Sequence, residues 1–157
     1  MYLSKLTKII NAGPPFDCNS GGLDGAYVHM KNFRHLTAII QVGATAGAAP
    51  AVTVEKSETG VGAGTAIAFY LCECSTAGTA ALGDLLGDLS LRSSGGFGLT
   101  TTDNTFAVVE LDVGELGAAY PYVRVRLSDP GAAALGSICY ILSGARYQTS
   151  TEQAIKV

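Results

Sequence analysis

The stretch YVRVRL, Tyr122–Leu127, alternates polar and apolar side chains with a period of two. Successive side chains of a β-strand point to opposite faces of the sheet, so Val123 and Val125 are predicted to face the core. The outward positions are Tyr122, Arg124 and Arg126. This pattern is typical of a half-buried antiparallel strand, and it indicates the fold class.

Other segments rich in branched and aromatic residues are also predicted to be strands. They are Leu3–Ile10, Ala26–Met30, His35–Val42, Val52–Lys56, Ala66–Cys74, Thr105–Leu111 and Ile138–Tyr147. The second and third are expected to form a hairpin across Lys31–Arg34, and Gly43–Pro50 is expected to be a small-residue loop. About seven or eight short strands without alternating long helices predict an all-β protein, an antiparallel β-sandwich or a jelly-roll-like barrel.

The segment Thr76–Gly98 is open to two interpretations. Four leucines at helical spacing indicate a short helix, whereas two glycines each cost a helix about 1 kcal/mol relative to alanine. The leucines are Leu82, Leu85, Leu86 and Leu89, and the glycines are Gly83 and Gly87. A loop with one helical turn fits equally well, so we expect at most one short helix.

The domain organisation is expected to be simple. Residues 26–148 form the β-sandwich, residues 1–25 supply a first strand and an extended arm or loop, and residues 149–157 form a tail. Pro14 and Pro15 cannot donate to a strand ladder, which favours an extended arm or a crossing loop at this point.

Composition narrows the classes of function. Charged residues make up only 15% of the 157 residues, and the formal net charge is −3. The usual charged fraction is roughly 25%, so the chain either buries surface in an assembly or has a large core and a small-residue surface. Ten scattered Lys and Arg residues do not make a nucleic-acid-binding field. No segment approaches the roughly 20 apolar residues of a membrane span, and we expect synthesis in the cytoplasm.

No segment carries a recognisable catalytic or cofactor-binding motif. Gly60–Gly64 lacks both the lysine of a P-loop and the context of a dinucleotide-binding loop. His29 and His35 have no clear carboxylate partner, and the spacing of the four cysteines matches no zinc site. Cys72 and Cys74 are expected to share one strand face, on the core side. We therefore predict that the protein is not an enzyme and has no metal or cofactor.

Three segments carry a resemblance to a known group of proteins: AYVHMKNFRHLTAIIQVGATAG, TTDNTFAVVELDVGEL and YPYVRVRLSDPGAAALGSICYILSGARY. Their order within Gly21–Tyr147 resembles that in small β-rich virion structural proteins of tailed bacteriophages, most of all capsid decoration (cement) proteins. The resemblance implies a virion protein on the capsid surface. Such a protein binds the major capsid protein and itself, as a trimer, and bridges capsomers. It implies no catalytic residue.

A cement protein needs segments that reach its neighbours, and strand addition across a subunit boundary is one way to supply them. We hypothesise that the N-terminal arm, Tyr2–Phe16, carries part of the capsid contact. The candidate contact residues are Tyr2, Leu3, Leu6, Ile9, Pro14, Pro15 and Phe16.

Three alternatives stay open. A tail-tube, neck or head–tail connector component belongs to the same structural class. A carbohydrate-binding β-sandwich would need exposed aromatic side chains, which a chain without Trp supports weakly. An enzyme would need an unrecognised site among His29, His35, Cys18 and the loop aspartates.

Overall fold

The computed structural model describes residues 3–74, 86–100 and 104–146. Its elements in chain order are the helix α1 (Leu3–Leu6) and the strands β1 (Lys8–Asp17), β2 (Leu23–Asp24), β3 (Val28–His29), β4 (His35–Thr45), β5 (Ala51–Ser57), β6 (Thr65–Ile67), β7 (Phe69–Cys74), β8 (Ser90–Arg92), β9 (Phe97–Gly98), β10 (Thr105–Asp112), β11 (Tyr122–Leu127) and β12 (Ala134–Ser143). Single 3₁₀ turns lie at Cys18–Ser20 and Val113–Glu115.

The described strands form two six-stranded sheets. Sheet A has the order β1-β12-β4-β10-β7-β8. Sheet B has the order β2-β11-β5-β6, with β3 also paired to β11 and β9 to β5. Each of these pairs is antiparallel. The antiparallel β-sandwich predicted from the sequence is confirmed.

The core lies between the inner faces of the two sheets. Every second residue of the central strands is buried in one hydrophobic cluster, which includes Leu36, Ala38, Ile40 and Val42 of β4 and Val123, Val125 and Leu127 of β11. Strand β11 has the predicted bounds, with both valines inward and the two arginines on the opposite face. Alternation in the sequence therefore identified the buried face of this strand correctly.

One hydrogen bond crosses the core from sheet A to sheet B. The N–H of Val125 donates to the hydroxyl of Tyr140, 2.7 Å away. Gly25 lies beside this bond, and a Cβ there would sit 2.6 Å from the hydroxyl and 2.5 Å from the carbonyl oxygen of Val125. Glycine is required because the two backbones and the tyrosine meet too closely for any side chain.

The first strand differs from the prediction for Leu3–Ile10. It begins at Lys8, after the short helix α1, and continues through the two prolines to Asp17. The register to β12 shifts between Asn11 and Gly13 and again between Gly13 and Phe16. Proline is tolerated here because β1 is an edge strand with irregular pairing. Residues 8–17 are therefore hydrogen-bonded along the margin of sheet A.

Two predicted neighbours lie on different sheets. The hairpin expected across Lys31–Arg34 is wrong, because β3 pairs with β11 in sheet B whereas β4 lies in sheet A. The single strand expected at Ala66–Cys74 is likewise divided at Ala68 into β6 of sheet B and β7 of sheet A. In both places the chain crosses from one sheet to the other, and the local sequence does not reveal such a crossing.

Some element boundaries differ from the predicted ones by a few residues. The loop expected at Gly43–Pro50 begins later, because the end of β4 stays paired with β12 up to Thr45. Most of the possible helix around Leu82–Leu89 lies outside the described residues, as does the tail at 149–157. Leu86–Leu89 has no regular structure, and the strand β8 follows it.

Cys72 is buried, but on the outer face of its sheet. Its strand neighbours Phe69 and Leu71 belong to the core cluster, whereas Cys72 alternates with Leu71 and lies opposite Val108 of β10. The expectation of a core-side thiol is therefore wrong, because burial alone does not specify the face. The side chain of Cys74 lies outside the described set.

Candidate functional site

The outward surface of sheet A carries two cross-strand rows of mostly apolar side chains, called here the sheet A face. Directly paired residues of an antiparallel sheet point to the same side, so the register defines the rows. The first row is Ile9, Ile141, Thr37, Glu110, Tyr70 and Leu91. The second row is Asn11, Cys139, Ile39, Val108 and Cys72.

Exposure on the sheet A face increases from its centre to its margins. Val108 is 9% and Cys72 8% exposed, whereas the exposed fraction reaches 39% for Tyr70, 61% for Leu91 and 50% for Ile9. Six strands about 4.8 Å apart and roughly 3.3 Å per residue along β12 give a face of about 24 by 33 Å. The two rows lie two residues apart along the strands, so they form a band across this surface, and its exposed apolar margins are typical of a contact site.

A histidine bound to two carboxylates lies at one edge of this face. The Nδ1 of His35 is 2.8 Å from the Asp112 Oδ1, and its Nε2 is 2.5 Å from the Glu110 Oε2. The hydroxyl of Thr37 donates to the same Glu110 oxygen at 2.8 Å. Ionised carboxylates only accept hydrogen bonds, so both ring nitrogens must donate, which requires a protonated ring.

The surroundings of His35 have opposing effects on its pKa. Partial burial disfavours the charged ring and lowers the pKa, while the hydrogen bonds and charges of Asp112 and Glu110 raise it. The carboxylates prevail and the net pKa is raised. The arrangement is a proton-binding bridge between β4 and β10.

The outward surface of sheet B carries a cluster of four charged residues. Glu55 accepts hydrogen bonds from the Nη2 of Arg124 and the Nη1 of Arg126, each at 2.7 Å. Asp24 accepts from the Nη1 of Arg124 at 3.2 Å and from the Nε of Arg126 at 2.5 Å. The Arg124 guanidinium also lies 4.5 Å from the ring centroid of Tyr27. These ion pairs join β2, β5 and β11, and both outward arginines are occupied within the fold.

The glycine loop Gly60–Gly64 packs against this cluster. The N–H of Gly64 donates to the Glu55 carboxylate at 3.3 Å, and the hydroxyl of Tyr27 donates to the carbonyl of Gly62 at 3.3 Å. Gly60 has a φ of +72°, and a Cβ there would sit 2.7 Å from the ring of Tyr122. The loop therefore closes over a carboxylate of its own chain.

Two adjoining clefts lie at the end of the sandwich where β4 begins. The first, about 500 Å³, is lined by Arg34, Asp112, Val113, Gly114 and Arg146, and is called here the basic cleft. The second, about 420 Å³, shares Val113, Gly114 and Arg146 with it and extends to Lys31 and Tyr120. Asp112, the carboxylate of the basic cleft, is bound to His35.

The candidate contact residues lie on α1 and β1, apart from Tyr2, which falls outside the described residues. Leu3, Ile9, Pro14, Pro15 and Phe16 are exposed, and Leu6 is half-buried. Ile9 belongs to the sheet A face.

Sequence reasoning missed Ile39, Tyr70, Leu91 and Ile141 on that face. Alternation marks them as outward, but only the register brings them side by side.

The two histidines lie on different sheets. His29 is in sheet B, where its ring meets Tyr122 edge-on at 4.6 Å and its Nδ1 accepts the N–H of Lys31 at 2.9 Å. His35 is in sheet A and does have carboxylate partners, which the sequence did not reveal. Cys18, Cys72 and Cys139 are free thiols.

Within residues 3–74, 86–100 and 104–146, no group of three or more His, Cys, Asp or Glu side chains is arranged to hold a metal ion. No helix in that part of the chain has the length and hydropathy needed to span a bilayer. No protein-family model matches the chain, and no curated protein or solved structure is significantly similar to it.

Proposed function

We propose that this chain is a structural virion protein of a tailed phage, a capsid decoration protein whose sheet A face lies against the outer surface of the head. The observation that carries the proposal is the pair of mostly apolar rows on the outward surface of sheet A, with exposed apolar side chains at its margins. The likeness of three sequence segments to cement proteins supports the same class.

The dimensions of the sheet A face suit this role. The whole outer surface of sheet A, polar side chains included, measures at most about 800 Å² by the strand spacing and rise, because β7 and β8 are shorter than β12. This is comparable to the roughly 800 Å² that each partner contributes to a standard-size protein interface. A sandwich whose two sheets share one core is stiff, as a protein that braces a shell requires. Ile9 and Leu91 are exposed apolar side chains at the two margins of the sheet A face, so a partner that covers the whole face contacts both of them.

Binding to empty heads tests the proposal. The wild-type chain should cosediment with heads assembled without it, and Ile9→Lys and Leu91→Lys should each raise the dissociation constant about tenfold or more, because a charge then enters an apolar interface. Both side chains are at least half exposed, so the fold tolerates the substitutions. Deleting residues 2–16 is a poor test because most of β1 would be lost from sheet A.

Val61→Lys is the matched control. Val61 is 70% exposed in the glycine loop on sheet B, so the same change of charge and size is made away from the sheet A face. Its binding should equal that of the wild type. A wild-type chain that does not bind heads rejects the proposal, and equal binding by all three variants rejects the sheet A face as the contact.

The tail-tube, neck or connector alternative is distinguished by the same fractionation. A component of those structures would cosediment with purified tails or necks and leave heads uncoated.

A further inference from the structure

Three basic side chains lie together at one end of the sandwich. Lys31, Arg34 and Arg146 line the two clefts there, and none of them forms an ion pair within the described residues. By contrast, Arg124 and Arg126 are neutralised by Glu55 and Asp24. Lys31, Arg34 and Arg146 therefore supply positive charge at this end, beside the carboxylates of Asp112 and Glu115.

Backbone hydrogen bonds hold the loops of this end together. The N–H of Val113 donates to the carbonyl of Arg34, that of Arg34 to Ser143, and that of Arg146 to Asn32. Arg34 and Arg146 thus lie on segments fixed to one another, and the basic cleft is built into the fold.

The loops of the opposite end carry acidic residues and no basic ones. These loops, residues 17–22, 45–50 and 128–134, contain Asp17 and Asp129 but no Lys or Arg. The N–H of Ala134 donates to the Asp17 carboxylate at 3.1 Å. Burial raises the pKa of the Cys18 thiol, and the charges of Asp17 and Asp129 raise it further.

The two charged ends cannot neutralise each other within one chain. The eleven residues of β4 run from one end to the other, a span of roughly 35 Å at about 3.3 Å per residue. The Debye length at physiological ionic strength is about 8 Å. Each end therefore presents its charge separately to the surroundings.

One carboxylate of the opposite end is available for a contact. Asp129 is exposed and uses one carboxylate oxygen to accept the Gly131 N–H at 2.7 Å. Its second carboxylate oxygen has no partner within the described residues. The turn is held in place, because the N–H of Ala46 donates to the carbonyl of Ala133 at 3.0 Å.

We propose that copies of this chain associate head to tail, with the Asp129 turn of one copy seated in the basic cleft of the next, between Arg34 and Arg146. A contact between two different surfaces closes into a ring or extends into a filament, according to the rotation between copies. The contact deepens the proposed function, on which it rests for its setting in a virion.

Sedimentation of the full chain at low and high salt tests the contact. The wild type should self-associate at low salt and dissociate as salt is raised. Asp129→Asn retains an oxygen for the Gly131 N–H but removes the charge, and it should weaken association about tenfold. Glu58→Gln, at an exposed carboxylate near the other end, should not weaken it. Wild type that stays monomeric, as it would if the chain's own C-terminal residues filled the cleft, overturns the proposal.

Reciprocal charge reversal identifies the two surfaces. Asp129→Lys reverses the charge of the turn and leaves the cleft unchanged. Arg146→Glu reverses a charge in the cleft and leaves the turn unchanged. Each variant alone should be monomeric, and an equimolar mixture should associate, because each then supplies the half that the other lacks. A mixture that stays monomeric while wild type associates overturns the proposed pairing. Loss of head binding in the sheet A face variants leaves this result unchanged, so the two proposals fail separately.

Discussion

His35 owes its charge to two side chains that are 75 and 77 positions away in the sequence. Glu110 and Asp112 alternate along β10, so both face outward on the side of the sheet where β4 places the imidazole. Asp112 also lines the basic cleft beside Arg34 and Arg146. The histidine therefore links the sheet A face to that cleft through one carboxylate.

This bridge predicts a dependence of stability on pH. Because the pKa of His35 is raised on folding, its contribution is fully present below the unfolded value of about 6.5 and is lost as pH rises through the folded pKa. The urea midpoint of the wild type should fall as pH rises above about 6.5, and His35→Asn should remove most of that fall. His29→Asn, at the histidine of sheet B, should retain it. A wild-type midpoint that is flat across this range would contradict the bridge.

Tyr140 contributes the hydrogen bond that spans the core. Tyr140→Phe retains the ring but leaves the buried Val125 N–H without its acceptor, and the cost of such a group is about 1–3 kcal/mol. Urea unfolding should show this loss, and the Val125 amide should exchange faster with deuterium. Tyr70→Phe, at an exposed tyrosine of the sheet A face, should change the unfolding free energy by no more than about 0.5 kcal/mol. Equal losses in the two variants would show that the core bond has no special role.

The strands β1 and β11 show how the pairing constraints on an edge strand differ from those on a central strand. Edge strand β1 admits two prolines and two register shifts, since only β12 pairs with it. Central strand β11 must satisfy β5 on one side and both β2 and β3 on the other. Its two outward arginines bridge two of those neighbours, through Glu55 of β5 and Asp24 of β2.

The cluster predicts that Glu55 joins these strands energetically. Burial alone raises the pKa of the Glu55 carboxyl, but hydrogen bonds from Arg126 and Arg124 outweigh it, so the net pKa is lowered. Glu55→Gln should lower the unfolding free energy at pH 7 by about 2–3 kcal/mol, below the full cost of breaking a buried pair because Arg126 is partly exposed. Glu58→Gln, at an exposed carboxylate in the adjoining loop, should cost less than about 0.5 kcal/mol.

Acid provides a second measure of the same cluster. A lowered folded pKa means that the Glu55 contribution is present above the unfolded value of about 4.3 and is lost as pH falls through the folded pKa. The difference between wild type and Glu55→Gln should therefore shrink below pH 4. A difference that stays constant into acid would mean that the charge on Glu55 contributes nothing.

At the scale of the whole molecule, four surfaces are chemically distinct. The sheet A face is mostly apolar, and the outer surface of sheet B is an internally paired charge cluster. One end has the basic cleft, and the loops of the other contain Asp17 and Asp129 without a Lys or Arg. In the proposed function, one chain binds a shell through the sheet A face and its own copies through its ends. Ile9→Lys should accordingly lose head binding while its self-association, measured by sedimentation, matches that of the wild type.

The sequence by itself determined the class of fold and the inward face of its clearest strands. Alternation in Tyr122–Leu127 reports a local property, since consecutive side chains of any strand point to opposite sides. Only the tertiary structure decided which strands share a sheet, where the chain crosses the sandwich, and which side chains meet across it. The carboxylates beside His35, the outer position of Cys72 and the rows of the sheet A face all depend on register between distant segments. Register is decided by the packing of two complete sheets, which no single segment encodes.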